Sequence, residues 1–315
     1  MNIGLLGFGV VGGGVWELAQ ENRALNVKKV LVRREAPSLG KAAVQDVEAI
    51  LRDTEIDTVV EVLGGLHPAY EWICRALAAG KDVVTANKAV ISAYYRELTA
   101  LARENGVALR CTAAVGGGIP WLVNLQRCRR VDTVTEVGGI MNGTTNFIMD
   151  AMARQGADFP AVLQRAQELG YAEADPSADI DGDDIRRKLT ISANIAFDAL
   201  LREEDIPAFG IRTVTGADVA DFRAHGFTCK LLACAQRTET GVAAYVEPAL
   251  VAEGEPEAAV PGNYNLISCT GELLGRQSYF GQGAGRYPTA ANVVQDCLDL
   301  LTGEDGFYTE TARPM

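Results

Sequence analysis

Asp184 and Lys188 stand four residues apart in a segment, residues 184–197, that reads as a helix, so their side chains are neighbours on its surface. Ile185, Leu189, Ile191, Ile195 and Ala196 mark an apolar face, and Arg186, Arg187, Thr190 and Asn194 a polar one. Lys188 belongs to the apolar face. An amine held against apolar walls has its charged form disfavoured. A protein obtains in this way a lysine that gives and takes protons near neutral pH. The plain alternative is an exposed ion pair of little energetic weight, and the apolar neighbours of Lys188 argue against it. Five aspartates, Asp175, Asp179, Asp181, Asp183 and Asp184, surround the start of this helix. A calcium-loop register fails, because its first and twelfth ligand positions fall on Ser177 and Lys188. The acidic cluster is expected to bind a substrate ammonium or to orient Lys188.

A second chemical signal opens the chain. An apolar strand over 2–6 runs into Gly7-Phe8-Gly9-Val10-Val11-Gly12 and then into a helical pattern. Strand, glycine turn and helix in that order suit a dinucleotide. The first glycine makes the turn, the second lets backbone approach a pyrophosphate, and the third lets helix and strand pack closely. The helix N-terminus then faces the phosphates. The second strand ends in Arg33-Arg34 where NAD sites usually carry an acid, although Glu35 follows. Guanidinium groups there suit a 2′-phosphate, so NADP(H) is expected over NAD(H). Thr85 and Lys88 end another strand at the carboxyl edge, where open α/β sheets bind ligands. A solvated surface lysine is the alternative for Lys88.

The elements needed to position these groups follow from periodicity. Strands are expected over 27–32, 57–62, 82–85 and 107–111, alternating with helices over 45–53, 69–79 and 92–105. Such alternation predicts an α/β fold with an N-terminal Rossmann, doubly wound parallel sheet. Past the glycine-rich junction at 114–120 the order becomes irregular, with strands over 132–141, 242–250 and 264–269 and helices over 145–154 and 159–169. This predicts a second α+β domain. The expected division is a cofactor domain over 1–115 and a substrate and dimerisation domain over 116–315, with the final helix, 289–301, a candidate to pack back on the first.

Composition narrows the chemistry. A chain of 315 residues with a net charge of −12 is poorly suited to nucleic acid or to anionic membrane surfaces. No apolar run is long enough to span a bilayer, and no basic segment precedes an apolar one as in a secretory signal. The seven cysteines form no C-x-x-C pair, which fits thiols in a reducing cytoplasm. With only two histidines, His67 and His225, most imidazole catalysis and most transition-metal sites are excluded. Lysine, carboxylates, hydroxyls or a cofactor must carry the reaction.

Taken together these segments resemble homoserine dehydrogenases. The match runs through the 7–12 turn, Gly64-Gly65 with His67-Pro68, Val84-Thr85-Ala86-Asn87-Lys88 and Val115-Gly116-Gly117-Gly118-Ile119-Pro120. It continues through Asn142-Gly143-Thr144-Thr145-Asn146, the block from Gly170 to Pro176, and Gly283-Ala284-Gly285 with Pro288-Thr289-Ala290. The resemblance covers essentially the whole chain. It implies NAD(P)H-dependent interconversion of L-aspartate 4-semialdehyde and L-homoserine, a step towards threonine, methionine and isoleucine. It assigns catalysis to Lys188 and Lys88, and substrate contacts to Glu173, Asp184, Thr144, Tyr171 and Asp179. Cofactor contacts fall on Gly7, Phe8, Gly9, Val10, Val11, Gly12, Arg33, Arg34, Thr85, Lys88, Gly283 and Gly285. Homodimers formed through the second domain are implied as well.

Two departures from the family pattern stand out. The family's sodium site uses main-chain oxygens of the loop holding Val115, Gly117 and Ile119, plus a glutamate three residues before the valine. That position is Thr112 here, which withdraws a full charge and leaves at most a weak monovalent-cation site. The chain also stops soon after its last helix, so a regulatory ACT domain beyond it is not expected. Two rival readings stay open. One is a dehydrogenase for another small semialdehyde, motivated by the changed loop around Cys111 and Thr112. The other is a silent homologue that senses NADPH.

Overall fold

A computed structural model describes residues 1–304. The chain divides into two units, one of Met1–Gln126 with the segment from Ala284 onward, the other of Arg127–Gly283. The division therefore falls about eleven residues later than the expected 115/116 boundary, and the last segment returns to the first unit. The change of texture near residue 113 marks a glycine-rich loop within the first unit rather than its end. Residues 305–315 of the expected second domain lie outside the described residues.

The first unit runs β1 (Asn2–Leu6), α1 (Val10–Gln20), β2 (Asn26–Leu31), β3 (Ala43–Val44), α2 (Glu48–Leu51), β4 (Thr58–Glu61), α3 (Ala69–Ala78), β5 (Asp82–Thr85), α4 (Lys88–Asn105), β6 (Leu109–Arg110) and the start of α5 (Trp121–Arg129). Its six strands are parallel in the order β3-β2-β1-β4-β5-β6, the doubly wound arrangement. Val59, Val60, Val83 and Val84 are fully buried, as strands covered on both faces require. The expected helix over 45–53 shrinks to the single turn α2, and the expected strand over 107–111 to two residues.

The second unit runs β7 (Val134–Ile140), α6 (Gly143–Gln155), α7 (Phe159–Glu168), α8 (Ser177–Ile180), α9 (Asp183–Phe197), α10 (Gly216–Ala224), β8 (Phe227–Thr238), β9 (Gly241–Ala252), β10 (Tyr264–Gly271) and β11 (Gly275–Gln282). Its antiparallel sheet has the order β11-β10-β7-β8-β9, so β7 is central. Two strands, β8 and β11, carry no clear alternation of apolar and polar residues. In β8 one face, Cys229, Leu231, Ala233 and Ala235, is apolar and buried, and Lys230 on the opposite face is fully buried as well.

The last helix, α11 (Arg286–Leu301), belongs to the first unit. Ala290, Val293 and Cys297 share a core with Ile3, Leu5, Val15 and Val60. The helix packs on α1, where Gly14 makes room: a Cβ there would lie 2.9 Å from the Ala290 methyl. A glycine inside a helix costs about 1 kcal/mol against alanine, and the close approach of the two helices offsets it.

Helix α9 differs from its expected amphipathic form. Thr190 is fully buried and Asn194 is 2% exposed, so the later half of the polar face is covered as well, while Arg186 and Arg187 stay half-buried. The helix packs on β7, β8 and β9. The two covered residues are satisfied locally: Thr190 donates to the Arg186 carbonyl at 2.8 Å, and Asn194 pairs with both backbone groups of Leu201.

Candidate functional site

In the second unit the central strand and two helix starts converge. Strand β7 ends at Ile140, and the next two residues supply a carbonyl, from Met141, and an amide, from Asn142. Asn142 caps α6 by accepting from the Thr145 N–H at 2.9 Å. Its Nδ2 donates to Asp179 Oδ1 at 2.7 Å and to Asp184 Oδ2 at 2.8 Å. Lys188 Nζ donates to the Met141 carbonyl at 2.7 Å and lies 2.7 Å from Asp184 Oδ2. Lys188 and Asp184 are 8% and 6% exposed, so the expected i,i+4 neighbours form a buried pair. The surroundings of the ammonium are nevertheless not the purely apolar walls read from the helix. A main-chain oxygen and a carboxylate receive its protons.

Gly182 caps α9 with φ +91°, a backbone state that favours glycine. The sharp entry turns Asp183 and Asp184 in opposite roles. Asp183 pairs with Arg186 at 2.6 Å on the surface, whereas Asp184 faces inward. Asp181 is held by Arg212, and Asp175 accepts from the Ser177 N–H at 3.1 Å. Five aspartates thus separate into three engaged locally and two, Asp179 and Asp184, gathered by Asn142.

Those two carboxylates face one ammonium. Burial, and then the nearby charge of Asp184, push the Asp179 carboxyl above its ordinary range, against the hydrogen bond from Asn142 that pulls it down. A cationic ligand beside Asp179 would relieve that cost. Thr144 donates to the Tyr171 carbonyl at 2.5 Å, and the Tyr171 ring meets Phe147 edge-on at 5.1 Å between centroids. Thr144 and Tyr171 are therefore fixed beside the cluster. Glu173 is exposed, and only its carbonyl is engaged, by Gln167 at 3.1 Å. Its carboxylate is not drawn into the cluster among the described residues.

In the first unit the glycine turn has the geometry of a phosphate cradle. Gly7 has φ +108°. A Cβ on Gly12 would lie 2.2 Å from the Gly7 carbonyl oxygen, so helix and turn meet there without a side chain. A Cβ on Gly9 would meet nothing within 4 Å. Gly9 caps α1, and Phe8, Val10 and Val11 beside it are partly or fully exposed, which leaves this backbone open to a ligand. These residues fit a dinucleotide. Arg33 and Arg34 are exposed two and three residues beyond β2, whose end pairs with that of β1.

Thr85 is fully buried and its hydroxyl donates to Glu61 Oε2 at 2.6 Å. The Glu61 carboxylate also accepts from the Leu63 N–H at 2.7 Å, and burial raises its pKa. Asn87 reaches the Gly65 carbonyl at 2.8 Å and caps α4. Thr85 therefore organises the turn that presents Lys88, the half-buried first residue of α4. No periodicity or motif in the sequence marks Glu61, and Asn87 enters only as part of the 84–88 block. Gly285, with φ +129°, caps α11 in this unit. Gly283 lies in the second unit, where a Cβ would come within 1.9 Å of Asn265 Nδ2. A side chain at 283 would therefore require Asn265 to move.

The 112–119 loop is held by α11. Asn292 Nδ2 donates to the Gly117 carbonyl at 2.5 Å and to the Ile119 carbonyl at 3.1 Å. Thr112 Oγ1 donates to Asp296 Oδ1 at 2.6 Å, and the Thr112 N–H reaches Asp296 Oδ2 at 2.9 Å. Arg110 pairs with Asp296 at 3.0 Å and with Asp299 at 2.6 Å.

Comparison with known proteins agrees with both halves. Residues 7–112 match the family model for the homoserine dehydrogenase NAD-binding domain, and residues 120–298 match the homoserine dehydrogenase model. A homoserine dehydrogenase from Synechocystis sp. is 42% identical, covering 96% of this chain and 73% of that protein. The crystal structure of one from Thiobacillus denitrificans superposes with a TM-score of 0.95 at 38% identity, over 100% of this chain and 78% of the other. A hyperthermophilic archaeal homoserine dehydrogenase in complex with NADPH superposes with a TM-score of 0.83 at 26% identity, over 96% and 98%.

Proposed function

This chain belongs to the homoserine dehydrogenase family and is an oxidoreductase, and from that premise we propose that Lys188 moves the proton in the interconversion of L-aspartate 4-semialdehyde and L-homoserine. One observation carries the assignment: a buried lysine shares a cluster with two buried or half-buried carboxylates, Asp184 and Asp179. The cluster has one carboxylate more than it has ammonium groups. A substrate with its own α-ammonium completes it.

When bound, the nicotinamide supplies the hydride. The aldehyde carbon that receives it leaves an alkoxide on oxygen. The Lys188 ammonium stabilises that charge and donates the proton, so the carbonyl π bond becomes one C–H and one O–H bond. In reverse the neutral amine takes the hydroxyl proton. Asp184 and the Met141 carbonyl hold the amine in place. Asp179, Thr144 and Tyr171 surround the amino acid, and Glu173 closes on its ammonium. The family pattern gives Lys88 a second catalytic role. NADP(H) is preferred, through Arg33 and Arg34 at the ribose. The protein works as a homodimer in the cytoplasm, a compartment that suits its seven free thiols.

The test is reduction of NADP⁺ by L-homoserine, run beside NAD⁺ and beside analogues of the semialdehyde in the other direction. Higher kcat/KM for NADP⁺, falling selectively in an R33A/R34A variant, supports the cofactor assignment. NADPH binding without oxidation, followed by stopped-flow absorbance, would replace this reading with the sensor.

A further inference from the structure

We infer that the amide of Asn292 takes the place of a monovalent cation in the 112–119 loop, so that this protein needs neither sodium nor potassium for stability or turnover. The main-chain oxygens of Gly117 and Ile119 point to one spot, as a hard cation would ask of its ligands. Asn292 Nδ2 occupies that spot, 2.5 Å and 3.1 Å from the two oxygens. Both partners are carbonyls, which can only accept. The amide must therefore present its NH₂, whose two hydrogens match two acceptors. Asn292 is 7% exposed and Gly117 is buried, so the contact lies inside the first unit.

The charge balance around the loop agrees with the donor set. A cation bound by neutral carbonyls is stabilised by a carboxylate nearby. Position 112 offers a hydroxyl, and that hydroxyl gives its proton to Asp296. Asp296 is the buried carboxylate of this region, at 1% exposure. It is already met by the Arg110 guanidinium, the Thr112 hydroxyl and the Thr112 N–H. A cation has neither the oxygens nor the counter-charge, because an internal amide and an internal guanidinium already serve them. Two separate features of the chain, the hydroxyl at 112 and the amide at 292, thus reach the same end.

The test compares thermal melting and homoserine oxidation in sodium, potassium and choline chlorides at matched ionic strength. The wild-type protein should melt at the same temperature and turn over at the same rate in all three. Asn292→Asp keeps the size but aims a carboxylate at two carbonyl oxygens. It should melt lower than wild type in choline, and sodium or potassium should recover part of the loss. A wild-type melting temperature or turnover that rises with sodium over choline overturns the inference. So does an Asn292→Asp protein that melts like wild type in choline. Should Asn292→Asp not fold, the wild-type comparison decides alone. The inference rests on the functional reading only for its activity arm. Salt-independent melting with no homoserine oxidation would sink that reading and leave this one standing.

Discussion

The second unit buries two lysines, and they are built differently. Lys188, on α9, gives its protons to a carbonyl and to the Asp184 carboxylate, with Asp179 close by. Lys230, on β8, is fully buried and gives its protons to the Asn146 amide oxygen at 2.8 Å and the Val260 carbonyl at 2.9 Å. Both of those partners are neutral. Burial lowers the Lys230 pKa to about 8, with the charge of Asp150 opposing it. Asn146 in turn donates to the carbonyls of Gly262 and Tyr264 at 2.8 Å and 3.1 Å. Lys230 thereby ties β8 and α6 to the segment that enters β10. Burial alone does not mark a catalytic lysine. The role proposed for Lys188 rests instead on the excess of carboxylate beside it, able to receive a ligand's ammonium.

Exchanging the two lysines for smaller residues should separate these roles. Lys188→Ala should fold, bind NADPH and lose about 10²–10⁴-fold in kcat; near-wild-type turnover would remove Lys188 from the mechanism. Lys230→Ala should do the reverse. A cavity and the orphaned Asn146 amide oxygen should cost about 3 kcal/mol in urea melts, with kcat retained in the protein that stays folded. A collapse of kcat at full stability would break the contrast.

The pH dependence sharpens it. A lysine whose pKa is depressed on folding favours the folded state in its neutral form. That contribution is full above the unfolded value of about 10.5 and lost as pH falls through about 8. The stability of the wild-type protein relative to Lys230→Met should therefore rise between those two pH values. A flat difference would show that Lys230 keeps an ordinary pKa. The smallest effect belongs to the carboxylates. Asp179→Asn removes a charge that burial and Asp184 disfavour, so the free protein should gain a little stability in urea melts. The KM for homoserine should rise, because the ammonium loses a partner. A gain in stability with unchanged KM would place the substrate elsewhere.

Much of both units was legible because it is written in short spacings. The 7–12 turn reads directly, since the lack of side chains at Gly7 and Gly12 has one local cause. The Asp184–Lys188 pair reads from helical pitch. The parallel sheet reads from short strands alternating with helices. β8 did not read, because Leu232 and Cys234 on its second face are apolar too and blur the period of two. The 126/127 boundary was equally hidden, because the loop at 112–119 stays with the first unit and α11 returns to it.

The spacing of residues along the chain was enough to name two chemistries, a phosphate-binding turn and a helix with a lysine one turn from an acid, because backbone geometry sets which near neighbours meet. It could not tell which of five aspartates face inward, nor that Met141 and Asn142 meet Lys188 and Asp184 from 47 and 42 residues away. It could not show Asn292 closing on a loop 175 residues earlier. Those partnerships depend on where strand ends and helix starts converge, and a hydrogen bond between distant segments leaves no periodic trace in either one.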